Sequence, residues 1–260
     1  MFRANQHQKP MVSFTTTQLD VLLGAVGPGG AAVGAISTYF KLAATTGNVA
    51  RATTSHQKVA ISQSCVYWTN IRLTDKGMGE AQVIIVCIYD GTNDPFVYTG
   101  SVALAGTLVA GNFFGAGPVS VNGVSIPGIQ EITIDSGVKL VQLGDSSDEF
   151  DTFVGIEEGR PSITVKTLEM VNWSTLVLRG TVLDGAAGIV AYGRKYSNYG
   201  SRVANATAAH LKFSGLYGTC IPIESAGDVR SPIGDTLKVE LVTSVAETNP
   251  LTCAVAQAIT

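Results

Sequence analysis

"ARATTSHQKVAISQSC", residues 50–65, and "ANATAAHLKFSGLYGTC", residues 204–220, decide how the rest of the chain is read. Ala52, Thr53, His56 and Lys58 stand 154 positions before Ala206, Thr207, His210 and Lys212, and Cys65 stands 155 before Cys220. The match extends outward. "MGEAQVIIVCIYDGTNDP" from Met78 aligns with "IGDTLKVELVTSVAETNP" from Ile233, pairing Gly79 with Gly234 and Pro95 with Pro250 at an offset of 155. Upstream, "SFTTTQLD" from Ser13 meets "SITVKTLE" from Ser162 at 149, and Gly30-Ala31-Ala32 meets Gly185-Ala186-Ala187 at 155. A register held this closely over roughly 95 residues predicts a diverged domain duplication, since solenoid units run to about 20–50 residues.

The expected organisation is a first unit over 1–105, a connecting segment over 106–159 and a second unit over 160–260. In each copy an extended stretch ("MVSFTT", "PSITVKT") runs into a short apolar helix ("LDVLLGA", "LEMVNWSTLVL"), then a long glycine-rich loop, then strands. "VIIVCIY" is a continuous apolar run expected of a strand buried on both faces, whereas "LKVELVTSV" alternates and is expected to be half exposed. The connecting segment holds three further strands, "EITID", "KLVQL" and "DTFVGI", separated by turn residues and expected to complete the sheets of the two units. The predicted class is mainly β: two duplicated β-sandwich units, each with a short helix.

Composition narrows the function. Only 14% of residues are charged and the net charge is -3, which leaves no basic field for wrapping nucleic-acid phosphates. Four scattered cysteines without C-x-x-C spacing fit neither a zinc site nor a disulfide framework and suit a reducing cytoplasm. "MFRANQHQKP" has no apolar signal core. The uncharged stretches 21–40 and 95–130 are long enough to invite a membrane-spanning reading, but "GAVGPGG" and "GNFFGAGP" would leave backbone unpaired in lipid, so no membrane insertion is expected. Uncharged loops of this kind are expected to be covered by another subunit.

Gly27, Gly29 and Ala32 fit a dinucleotide fingerprint, yet a helix precedes them and no acidic residue lies between Asp20 and Asp75 to hold a ribose. A phosphate-binding P-loop is excluded because the first lysine after the glycine run, Lys41, follows Phe40. His56 and His210 read as hydrogen-bonded packing residues, and the nine or ten residues separating each from Cys65 or Cys220 along an extended chain exceed nucleophile–base reach. "GDSSDEFD" (Asp145, Asp148, Glu149, Asp151) lacks the spacing of a calcium loop. The expectation is no catalytic residue, no metal and no cofactor.

A duplicated β-rich unit with a short helix, uncharged loops and weakly acidic charge resembles the tail tube proteins of long-tailed bacteriophages. The middle stretch "GIQEITIDSGVKLVQLGDSSDEFDTFVGIEEGRPSITVKTLE", residues 128–169, carries most of that likeness. The resemblance implies a virion structural protein, made in the host cytoplasm, that self-assembles into rings stacked into a tube. DNA would pass through the lumen without sequence-specific binding, and other tail proteins would be partners. Most such proteins form hexamers of one unit, so a duplicated unit implies a homotrimer building a pseudo-hexameric ring. The segments 24–51 and 178–205 occupy the place of the arms that reach a neighbouring subunit or ring. There Gly27, Gly29 and Gly30 permit close approach, Tyr39, Phe40, Tyr196 and Tyr199 offer aromatic anchors, and Lys41, Arg194 and Lys195 offer charge pairing. Two rivals are another phage structural protein (baseplate, decoration or adhesin) and, with less support, an enzyme on a duplicated barrel.

Overall fold

Alternation builds the largest sheet. In "QSCVYWTNIRLT" Ser64, Val66 and Trp68 turn inward; a bulge between Trp68 and Asn70 then inserts a residue, so that Ile71 and Leu73 stay on the same buried face. The structure is a computed structural model that describes residues 8–41, 43–44, 47–48, 50–104, 111–144, 149–168, 181–183, 185–197, 200–228, 231–243 and 249–260.

In chain order the elements begin with β1 (Met11–Thr16), α1 (Leu19–Ala25), β2 (Ala31–Val33), β3 (Ile36–Phe40), β4 (Ala43–Ala44), β5 (Gly47–Asn48) and β6 (His56–Ile61). There follow β7 (Gln63–Thr74), β8 (Glu80–Ile88), β9 (Phe96–Val102), β10 (Phe113–Val121), β11 (Val124–Ile126), β12 (Ile129–Asp135), β13 (Val138–Leu143) and β14 (Phe153–Gly159). The last six are β15 (Ser162–Thr167), β16 (Ile189–Tyr196), β17 (His210–Gly215), β18 (Gly218–Asp228), β19 (Ser231–Leu241) and β20 (Thr252–Gln257). The protein is therefore mainly β. Its one described helix is short and anchored by Leu19 and Leu23, four residues apart on one face and both buried. The helix expected in "LEMVNWSTLVL" lies outside the described residues.

Seven strands run in the order β1-β8-β7-β12-β15-β19-β18, every neighbouring pair antiparallel, with β2 beside the N-terminal part of β7. A five-stranded sheet, β11-β10-β16-β17-β20, and a three-stranded one, β3-β6-β9, accompany it. Buried residues of both halves and of the connecting segment, among them Trp68, Phe114, Ile132 and Phe213, belong to one hydrophobic cluster.

β12 lies between the halves. Its two inward residues complete two aliphatic rows: Leu73, Ile132, Val165 and Leu237 face one another across four strands, as do Ile71, Ile134, Ile163 and Val239. Burying an isoleucine of this kind contributes about 2–3 kcal/mol. β13 and β14, by contrast, pair with each other as a separate hairpin that continues the β12–β15 pair beyond a break at Gly137 and Arg160. The difference from the expected sheet completion has a local cause. Gly137 adopts φ +60° with its Cα turned against the Arg160 carbonyl, a conformation and a proximity that exclude a side chain and bend the ribbon out of the sheet.

On the outward face of the same strand Glu131 meets Arg72 of β7 at 2.6 Å and Lys166 of β15 at 3.0 Å. Partial burial pushes the Glu131 carboxyl up, but hydrogen bonds from Arg72 and Lys166 and their positive charge outweigh it, leaving the group below its ordinary 4.5. A depressed carboxylate contributes stability that is present above its unfolded-state pKa and lost as pH falls through the folded one. Glu131→Gln is therefore expected to lower stability by about 1 kcal/mol at pH 7, the two cations being half exposed. In chemical denaturation the deficit relative to wild type should shrink as the pH falls below about 4.5.

Candidate functional site

The repeated histidines do the same local work twice. His56 opens β6 and His210 opens β17; both are fully buried, and each Nε2 lies 3.0 Å from a carbonyl six residues earlier, Ala50 or Ala204. The His210 Nδ1 accepts from the Lys195 backbone N–H at 3.0 Å, so Nε2 carries the hydrogen and donates to Ala204. Both histidines precede a bulge against the next strand, β9 or β20, and each bulge holds a non-glycine residue in the left-handed region, Ser101 at φ 58° and Ala256 at φ 54°. These imidazoles pin loops to strand ends.

The cysteines do not supply a nucleophile. Burial pushes the Cys87 thiol up to about 11 and the Cys253 thiol to about 12, and raises Cys65 and Cys220 as well, so all four are protonated at neutral pH. His56 lies in the three-stranded sheet and Cys65 in the large one. No group of three or more metal-ligating side chains occurs among the described residues. In the acidic run, Asp151 receives Lys9 at 3.2 Å and Glu149 accepts from Gln8, while Asp145 and Asp148 lie outside the described residues.

The residues singled out for self-association fall in three places. Gly27, Gly29 and Gly30 form the turn from α1 into β2. The Gly30 N–H returns to the Gly27 carbonyl at 3.0 Å, and Gly30, at φ +79°, lies so close to Tyr67 and the Val66 carbonyl that a side chain would crowd both. Gly29 faces Ile156 of β14. Gly30 is thus packed on its own chain, whereas Gly27 is exposed with open space around it. Tyr39 and Phe40 are exposed on β3, an edge strand, with Lys58 above the Tyr39 ring and Lys41 exposed just beyond. Arg194, Lys195 and Tyr196 lie half-buried on β16, opposite Gly115, Phe114 and Phe113 of β10. Tyr199 lies outside the described residues. The stretches 24–51 and 178–205, expected as long loops, therefore contain strands β2 to β5 and β16. The residues that sequence matching treats as equivalent also differ in setting: the outer edge of β16 is occupied by β10, whereas among the described residues the outer edge of β3 has no partner strand.

Two features of the large sheet have no sequence motif. The middle of its outward face is polar and charge-paired: Thr69 and Asn70 both bond Gln82, Glu131 holds Arg72 and Lys166, and Lys238 pairs with Glu240 at 2.7 Å, while toward the ends the same face carries Tyr67, Ile84, Val86 and Ile221. Those three cations are all that its seven strands carry. Among the described residues its two end strands have no full outer partner, with Met11 and Phe14 exposed on β1 and Ile221 and Ile223 on β18, where 181–183 bonds only the first residues. Period-two alternation marks which residues face outward; no local pattern tells an edge strand from a central one.

No protein-family model matches the chain, and no curated protein sequence matches it. The function therefore rests on the residues themselves.

Removing the His210 imidazole leaves the Lys195 N–H and the Ala204 carbonyl unpaired in the interior, so His210→Ala is expected to cost about 2–5 kcal/mol. Ala256→Gly relieves a left-handed residue and is expected to be neutral or to stabilise by up to about 1 kcal/mol. Thermal unfolding of the two variants checks both.

Proposed function

We propose that the chain is a virion structural protein of a long-tailed phage, a tail tube subunit whose two units are a duplicated tube domain and whose rings stack into a DNA-conducting tube. The observation that carries the reading is the large sheet. It unites strands of both halves, turns one face to the core, and among the described residues ends in β1, which pairs only with β8, and in β18, whose far side has no partner strand beyond Cys220. A building block of this shape adds copies edge to edge without altering its core.

The outward face suits a lumen. Duplex DNA adheres where free lysines and arginines neutralise phosphates and release counterions. Arg72, Lys166 and Lys238 are each held by a glutamate, and Thr15, Asn70, Gln82, Thr133 and Thr164 supply neutral polar surface between them. Such a surface wets the lumen and lets a polyanion slide. The exposed aromatic residues Tyr39 and Phe40 on the β3 edge remain as contacts to a neighbouring subunit or ring.

Negative-stain microscopy of the purified protein tests the reading. Hollow rods or stacked rings of about three chains are expected, retaining no duplex DNA at near-physiological salt. Particles that stay monomeric at high concentration, or that associate only with a separate partner, contradict it and favour a decoration or baseplate role.

A further inference from the structure

The chain contains one junction between its units, and that junction shows what the open ends of the large sheet lack. On one side β7 pairs with β8; on its other side β2 covers Ser64–Val66 and β12 covers Asn70–Thr74. β18, which aligns with β7 in the repeat, pairs with β19 on one side. On its other side the segment 181–183 bonds its first residues, Leu183 N–H to the Gly218 carbonyl and Cys220 N–H to the Thr181 carbonyl, both at 2.9 Å. Beyond Cys220 that side of β18 has no partner strand among the described residues, although the corresponding stretch of β7 holds β12. At the opposite end β1 pairs only with β8, whereas β15, its counterpart in the repeat, holds β12 on its free side. Each open edge is thus the counterpart of one that is closed within the chain, and the exposed apolar residues Met11, Phe14, Ile221 and Ile223 lie on these two open edges. An exposed apolar strand edge is a template for pairing with another chain.

We propose that β18 of one copy docks against β1 of a second copy, head to tail, so that the large sheet continues from chain to chain as it continues from β7 to β15 within a chain. The inference rests on the ring-forming reading above and specifies its contact. The occupant is a second copy because the chain's own β7-to-β15 junction already joins the equivalents of these two edges. Strand direction adds a constraint. Seven strands paired antiparallel throughout leave β1 and β18 running the same way, so in direct contact they pair in parallel, unlike the in-chain junction, where β12 stands between β7 and β15. The contact is heterologous, with a different surface on each partner, so it closes into a ring when the rotation per copy allows.

Complementary edge-blocked variants test it. Ile221→Lys/Ile223→Lys blocks β18 and Met11→Lys/Thr15→Lys blocks β1; all four side chains are exposed, so both variants should keep the wild-type unfolding midpoint. By analytical ultracentrifugation, wild type should assemble, each variant alone should stay monomeric, and an equimolar mixture should give a species of twice the monomer mass, because each variant retains the edge that the other has lost. A variant that assembles like wild type overturns the edge assignment and leaves the ring reading standing. A variant that dimerises on its own, or a mixture that stays monomeric while wild type assembles, overturns the head-to-tail contact. A wild-type protein that is monomeric throughout removes the ring reading and this contact together.

Discussion

β12 has a neighbour from each half of the chain, and most of the architecture depends on that position. Ile132 and Ile134 fill the gap between two aliphatic pairs that would otherwise end at exposed edges, Ile71 with Leu73 on one side and Ile163 with Val165 on the other. On the opposite face Glu131 draws a cation from each half. Neither contact is strong by itself. Together with the backbone pairing of β12 to β7 and to β15 they make the connecting segment a structural member, and they join what the repeat presents as two units into a single sheet with one continuous core.

The same feature explains why the molecule is poised to associate. Inserting one strand closes the inner edges of both units; among the described residues the outer side of β1 has no partner strand, and that of β18 has none beyond Cys220. Soluble proteins ordinarily blunt such edges with lysine, proline or a covering loop. β1 carries no charge; β18 shows Ile221 and Ile223 and is only partly blunted, by Pro222, Glu224 and Asp228. Charge is instead concentrated on the outward face, where each cation is matched. A sheet with apolar ends and a neutral polar face is suited to lateral association that leaves the face free.

Some of this was legible in the sequence. The repeat spacing located both histidines at strand starts, the alternation of "LKVELV" gave a half-buried strand with Leu237, Val239 and Leu241 inward, and "LDVLLGA" forms the helix with the bounds its pattern suggests. The failures have physical causes. The glycine-rich stretches were read as loops because glycine and alanine carry no periodicity, yet Ala31–Val33 pairs with β7. In "FFGAGPVSV" Pro118 argues against a central strand. A bulge between Ala116 and Val119 accommodates it, and Gly117 fits there only because a side chain would strike the Tyr192 carbonyl. Repeat alignment places Arg194 to Tyr196 opposite Tyr39 to Lys41, and equivalence of sequence does not include which edge a third strand covers. Sheet order is a non-local property, and the edges that matter for assembly are set by it.

Native-state hydrogen exchange at β12 tests the account most directly. If β12 makes the two halves one structure, the amides of Ile132, Thr133 and Ile134 that bond to its neighbours exchange only through the same global opening as those of Ile71 in β7 and Val165 in β15, with a common free energy and a common dependence on denaturant. Exchange of the β12 amides at the rate of a surface loop, with β7 and β15 protected by separate openings of different size, would show two domains on a linker and contradict the central claim.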